Sequence, residues 1–278
     1  MSKRGELIVA HVQFFLFQFL PYMTRAQTRT NFHSSKLIRV LSDMAIVDAV
    51  EPGIAFADKL GLWLDLNDAI RLHAVHSVSP PAPVRQSAAE SISGGGLGEE
   101  LARIRAILVN SITKSGSPKR GRTKIEIPSN KHDAPIEVAS AYEPYRRYYL
   151  AHQHEMDLSI RPLRVNVREV LARASPALRQ LAALDAALDA TLCDRERKLL
   201  STVPSLLERR FEQLLKTHQQ KLVDAQQEDN PTLWMKPGAW LACFCNDMRS
   251  ALLAELEVRL QPTVGLIEAF NNDTTRHR

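Results

Sequence analysis

Cysteine is scarce in this chain of 278 residues, with Cys193, Cys243 and Cys245 the full complement. An odd and low count excludes a disulfide framework and fits a reducing compartment. Cys243 and Cys245 stand two residues apart, which on a helix turns them to different faces, so they read as buried apolar residues and not as a metal pair. Glycine (11) and proline (15) are few and hydrophobic residues make up 45%. That balance excludes wholesale disorder and places the chain in the ordinary globular class. Long apolar runs are missing as well. The strongest, within residues 1–22, is interrupted by His11, Gln13 and Gln18 and falls short of the roughly 20 apolar residues a membrane-spanning helix needs.

Catalytic signatures are equally sparse. The chain has no Gly-x-Ser-x-Gly and no His-Glu-x-x-His, and the run Gly94, Gly95, Gly96, Gly98 lacks the Lys-Ser/Thr and the preceding strand of a phosphate loop. His152, His154, Glu155 and Asp157 form two i, i+3 pairs on different faces in the order His-x-x-Glu, with no second copy to complete a bundle metal site. His73 and His76 form a similar pair. The residues therefore assign no catalytic group, no metal and no cofactor, and the chain is expected not to be an enzyme.

What the sequence does hold is helical periodicity. Leu37, Ile38, Leu41 and Ala45 share one face after a Ser34 or Ser35 cap; Phe56, Leu60, Trp63 and Leu64 make a second stripe; Ile70 and Ala74 follow a start at Asp65 or Asn67. Leu101, Ile104, Leu108 and Ile112 repeat at helical spacing, and from Pro144 onwards the stripes continue almost to the end. Ser175-Pro176 marks a cap followed by a first-turn proline, and the last helix is expected to stop at Pro262. The fold class predicted is all-α: a small N-terminal helical unit plus a long C-terminal helical hairpin or bundle with coiled-coil-like packing.

The boundaries follow from composition. Residues 30–78 form the N-terminal unit, 79–98 a Pro/Gly/Ser linker, 99–113 a helix, 114–136 a basic flexible loop, 137–270 the C-terminal bundle and 271–278 a polar tail. Residues 1–22 carry three readings: a mis-assigned start ahead of Met23, which is favoured, a core or interfacial segment, or an export signal.

Charge is localised. The 36 Lys and Arg against 31 Asp and Glu leave +5, and residues 114–131 hold a surplus of that same size. A nucleic-acid reading therefore rests on Lys119, Arg120, Arg122 and Lys124, joined by Arg161, Arg164 and Arg168, which fall at i, i+3 and i+7 of one helical face. The favoured reading of that face is pairing with acids of adjacent helices. Asp185 and Asp189, at i and i+4 beside an Ala and Leu face, are expected to be structural polar groups that pair with arginines of a neighbouring helix.

Read from Met23, the chain resembles the proteobacterial family catalogued as domain of unknown function 3348. The resemblance is carried by Ser34 to Leu41, Phe56 with Leu60 and Trp63, Tyr148 to Gln153, Leu178 to Asp185, Arg195 to Arg197, Val203-Pro204 with Arg210-Phe211, and Leu252 to Pro262 with Gly265 and Glu268. It implies a cytoplasmic accessory encoded beside a MotA/MotB-like or OmpA-like membrane motor pair, an arrangement similar to the Zorya type III anti-phage system. Protein partners would then be the motor proteins or neighbouring helical accessory proteins, with a homo-oligomer left open. It transfers no catalytic residues.

DNA binding measured at several salt concentrations tests the basic stretch. Changing Lys119, Arg120, Arg122 and Lys124 to Gln is expected to flatten the slope of log K against log salt by about 0.9 for each phosphate no longer neutralised. A slope indifferent to these changes excludes the stretch as a DNA-binding element.

Overall fold

In the computed structural model, residues 36–44, 64–77, 94–114 and 138–276 are described. Residues 1–22, the Phe56, Leu60 and Trp63 stripe, most of the 79–98 linker and Lys119, Arg120, Arg122 and Lys124 lie outside them. The described residues are helical, with no strand among them. They form α1 (Lys36–Asp43), α2 (Leu66–Ser77), α3 (Gly94–Thr113), α4 (Val138–Ala174), α5 (Pro176–Leu200), α6 (Val203–Asp224) and α7 (Trp240–Arg276). None of these helices is long and apolar enough to cross a membrane.

Local chemistry accounts for several ends. Asp65 and Asp68 cap α2 reciprocally: the Asp68 amide donates to Asp65 Oδ1 at 2.7 Å and the Asp65 amide to Asp68 Oδ2 at 3.2 Å, an acidic version of the capping box. Ser175 accepts from the Leu178 amide at 3.2 Å, and Pro176 follows at the first helical position. Ser201 and Thr202 make a tight corner into α6, with their amides bonded to the Arg197 and Leu199 carbonyls. Between α6 and α7, Asp229 Oδ1 accepts from Trp234 Nε1 at 2.8 Å and lies 3.0 Å from His218 Nε2. Gly238 then turns the chain at φ 84°, a left-handed conformation that side chains resist.

Three expected boundaries move. α3 begins at Gly94, so residues 94–98 are its first turns and not linker. Glycine weakens a helix by up to about 1 kcal/mol per residue, and Leu97, buried against Leu163 and Phe270, supplies the compensating packing. α7 does not stop at Pro262 but runs to Arg276, taking in most of the 271–278 tail. An interior proline costs about 3 kcal/mol; burying Leu266, Ile267 and Phe270 beyond it returns roughly 1.5–3 kcal/mol each. α4 likewise starts before Pro144 and passes through Pro162.

α7 is the axis of the bundle. It packs against α1, α3, α4, α5 and α6, while α2 docks on α5. At 37 residues each, α4 and α7 run about 55 Å, long enough to carry two cores. The first is aromatic: the rings of Phe211 and Phe244 lie 5.1 Å apart, Phe211 and Trp240 5.3 Å, Tyr145 and Phe244 5.4 Å, all within the range of edge-to-face attraction. The second is aliphatic, built on Leu163, Val167, Leu171, Leu178 and Leu266 around Phe270. Tyr145, Tyr148 and Tyr149 are buried in the first core.

α3 and α4 meet through a polar contact inside apolar surroundings. Ser111 Oγ donates to Glu155 Oε2 at 2.8 Å, and His152 Nδ1 lies 3.8 Å from the same oxygen. The His152 ring also meets Tyr148 edge-on at 4.6 Å. Burial disfavours the imidazolium and pushes its pKa from 6.5 down to about 4. The unfolded chain takes up the proton first, so His152 stabilises the fold fully above pH 6.5 and loses that contribution as pH falls towards 4. Urea unfolding across this range is expected to show His152 contributing about 1.4 kcal/mol per pH unit, and His152→Leu should remove that component. An unchanged pH slope in the variant would contradict it.

Candidate functional site

The Ser175-Pro176 corner folds α5 back along α4 and sets two i, i+4 pairs opposite each other. Arg164 and Arg168 on α4 face Asp185 and Asp189 on α5. Arg164 donates to Asp185 through Nε at 3.0 Å and Nη2 at 2.6 Å, and to Asp189 through Nη1 at 3.0 Å. Arg168 donates to Asp185 through Nε at 2.6 Å and to Asp189 through Nη2 at 2.8 Å. Each carboxylate thus bridges two guanidinium forks, geometry that only arginine supplies. Desolvation opposes the charge on Arg164, yet the bonds to Asp185 outweigh it and hold the group above its ordinary pKa.

This arrangement divides the arginine face. Arg164 and Arg168 are half-buried and committed to Asp185 and Asp189. Arg161 is exposed and forms no ion pair among the described residues. The face therefore does not present a row of three free cations to a phosphate backbone. Both aspartates carry two cations each, a pairing that leaves neither carboxylate uncommitted for acid or base chemistry.

A second network lies one turn inward. Glu255 of α7 is fully buried. It accepts from Tyr149 Oη at 2.8 Å, from Gln153 Nε2 at 2.9 Å and from Arg259 Nε at 2.8 Å. Gln153 also donates to the Leu200 carbonyl at the end of α5, at 3.0 Å. Arg259 reaches on to Asp157 of α4. Burial, then the charge of Glu255, raises the Tyr149 hydroxyl well above its ordinary value, so it stays a donor. The carboxylate joins α4 to α7, and Gln153 extends the network to α5. The sequence carries a signal for it: Glu255 and Arg259 stand at i, i+4 inside the apolar run of Leu252, Leu256 and Leu260, where a charge has to find a partner.

Between the two networks the surface dips into a small pocket of about 70 Å³, lined by Arg161, Arg164, Asp189, Cys193, Glu196 and Arg259 among others. Of the histidines and acids of residues 152–157 only Asp157 lines it, and the four do not gather into one cluster. His152 and Glu155 face α3, His154 is exposed, and Asp157 is held by Arg259. Among the described residues no group of His, Cys, Asp and Glu side chains is placed to hold a metal ion.

The helical frame and both networks fall within one family match: the model described as "Protein of unknown function (DUF3348)" aligns with residues 23–272. The chain belongs to the DUF3348 family. No curated protein and no solved structure matches it. In this DUF3348 protein the stretches Tyr148 to Gln153 and Leu252 to Pro262 meet each other through Glu255. Leu178 to Asp185 meets α4 through Asp185.

Removing one member of the inner network leaves a charge stranded. Arg259→Met is expected to lower unfolding free energy by about 3–5 kcal/mol, because Glu255 loses its cation while still buried. The double change Glu255→Leu, Arg259→Met should recover most of that loss in the same urea titration. A double variant as weak as the single one would show that the pair does not act as a unit.

Proposed function

We propose that this DUF3348 protein is a non-enzymatic helical interaction protein that docks a protein partner on the outer face of α4. The observation that carries the reading is a stripe on that face. Leu158 is 63% exposed and Val165 43%, and they bracket the exposed Arg161 at i−3 and i+4, positions that lie together on a helix surface. Isolated apolar residues on a surface need no explanation. Here two of them flank an arginine without an ion pair among the described residues, a combination of the kind that supplies interface anchors.

The frame beneath the stripe supports the reading. The adjoining side of α4 is tied by Arg164 and Arg168 to α5 and by Tyr149, Gln153 and Asp157 to α7, so the outer face is presented in a defined register. A partner then binds without first ordering the helix, which keeps the entropic cost of association low. The family resemblance supplies the proposed setting: a cytoplasmic accessory of a membrane-motor-linked bacterial defence module, with MotA/MotB-like motor proteins or neighbouring helical accessory proteins as partners.

Leu158→Asp together with Val165→Asp is expected to leave helicity and thermal unfolding unchanged, since both side chains already face water. Capture of the neighbouring motor and accessory proteins from cells carrying the intact gene cluster should fall at least about tenfold, the loss expected when anchor residues are removed. Undiminished capture by a folded variant overturns the docking face.

A further inference from the structure

The inner edge of the docking stripe is electrostatically unfinished. Around the pocket between α4, α5 and α7, Arg164 is committed to Asp185 and Asp189, and Arg259 to Glu255 and Asp157. Arg161 and Arg197 differ. Arg161 has no ion pair among the described residues, and Arg197 holds only Asp194, one turn back, whose side chain is 86% accessible. Such an exposed i, i+3 pair contributes little and is readily exchanged. Glu196 also lines the pocket, but its field acts on Arg259 and Arg164. Two guanidinium groups with donors to spare therefore stand at one mouth, beside the apolar stripe of Leu158 and Val165.

Size selects among anions. The pocket holds about 70 Å³, whereas sites for nucleotides and other drug-sized ligands run to roughly 300–1,000 Å³. Its floor accommodates one small planar or tetrahedral group. Apolar residues next to paired forks favour a carboxylate attached to an apolar body, since a guanidinium fork matches a carboxylate edge with two parallel bonds.

We propose that the pocket mouth receives an acidic side chain from an amphipathic helix of the partner protein, its carboxylate held by Arg161 and Arg197 while its apolar residues cover Leu158 and Val165. This rests on the docking reading and adds the partner's chemistry: an Asp or Glu set beside an apolar helical stripe.

The test uses the full chain with ¹⁵N-labelled arginine side chains and three probes: phenylacetate, phenylacetamide and inorganic phosphate. Phenylacetate is expected to shift the Nε–Hε signals of Arg161 and Arg197 saturably, and phenylacetamide to leave them in place. Arg161→Gln should weaken phenylacetate binding about tenfold, as for loss of one charge-assisted hydrogen bond. Leu158→Ser should weaken it without abolishing the shift. Phosphate moving the same two signals with equal affinity would identify a general anion spot and overturn the proposal, as would no response to phenylacetate. Partner capture separates the two readings. Capture abolished in the Leu158→Asp, Val165→Asp variant but unaffected by Arg161→Gln retains the docking face and removes the acid recognition; capture unaffected by either removes both.

Discussion

Glu255 sits fully buried in the middle of the helix that every long neighbour touches. A carboxylate in that position is tolerated only when its charge and its lone pairs are all met. Meeting them uses Tyr149 and Gln153 from α4 and Arg259 from its own helix, and Gln153 in turn reaches the end of α5. The requirement sets the axial register of α4 against α7, because a slide of one turn, about 5.4 Å, would break every bond between α4 and the carboxylate at once. Apolar packing on either side of it is far more forgiving of such a slide, since one leucine replaces another with modest loss.

The second ionic cluster performs the same task between α4 and α5. Arg164 and Arg168 against Asp185 and Asp189 make a four-membered arrangement whose spacing matches only when both helices keep i, i+4 periodicity through the contact. Together the networks align three helices in one frame, with the aromatic core towards one end and the aliphatic core towards the other. The pocket lies where the frames meet, and its composition follows: Arg164 and Arg259 are already neutralised within the fold, while Arg161 and Arg197 stand at the rim. Function is therefore proposed at an edge of the frame, where the chain leaves Arg161 and two apolar neighbours uncommitted.

Much of the fold is legible in the sequence. The i, i+3, i+4 stripes locate the long helices, and the Ser175-Pro176 and Asp65 starts follow from cap chemistry that is local by nature. Pro262 misleads because proline's cost is local while its compensation is not: Leu266, Ile267 and Phe270 stabilise the continuation only by packing on α4 and α5 residues distant in sequence. Gly94 to Gly98 mislead for the same reason, through Leu97. Among the candidate site residues, the arginine pattern is visible, but i, i+3, i+7 spacing places Arg161, Arg164 and Arg168 on one face without saying which of them meets a partner. The role of Glu255 is legible only in part: Arg259 at i+4 marks a charge that needs a partner, but Tyr149 and Gln153, about a hundred residues away, become its donors only through the fold.

The amino-acid sequence by itself determined the all-α class, the long amphipathic helices and the concentration of positive charge between residues 114 and 131, all properties of residue type and spacing along one chain. Tertiary structure alone decided which charges are neutralised and which remain. Ionisable groups neutralise one another across helices at distances below about 4 Å, and no periodicity within a single helix encodes which neighbour will supply the opposite charge.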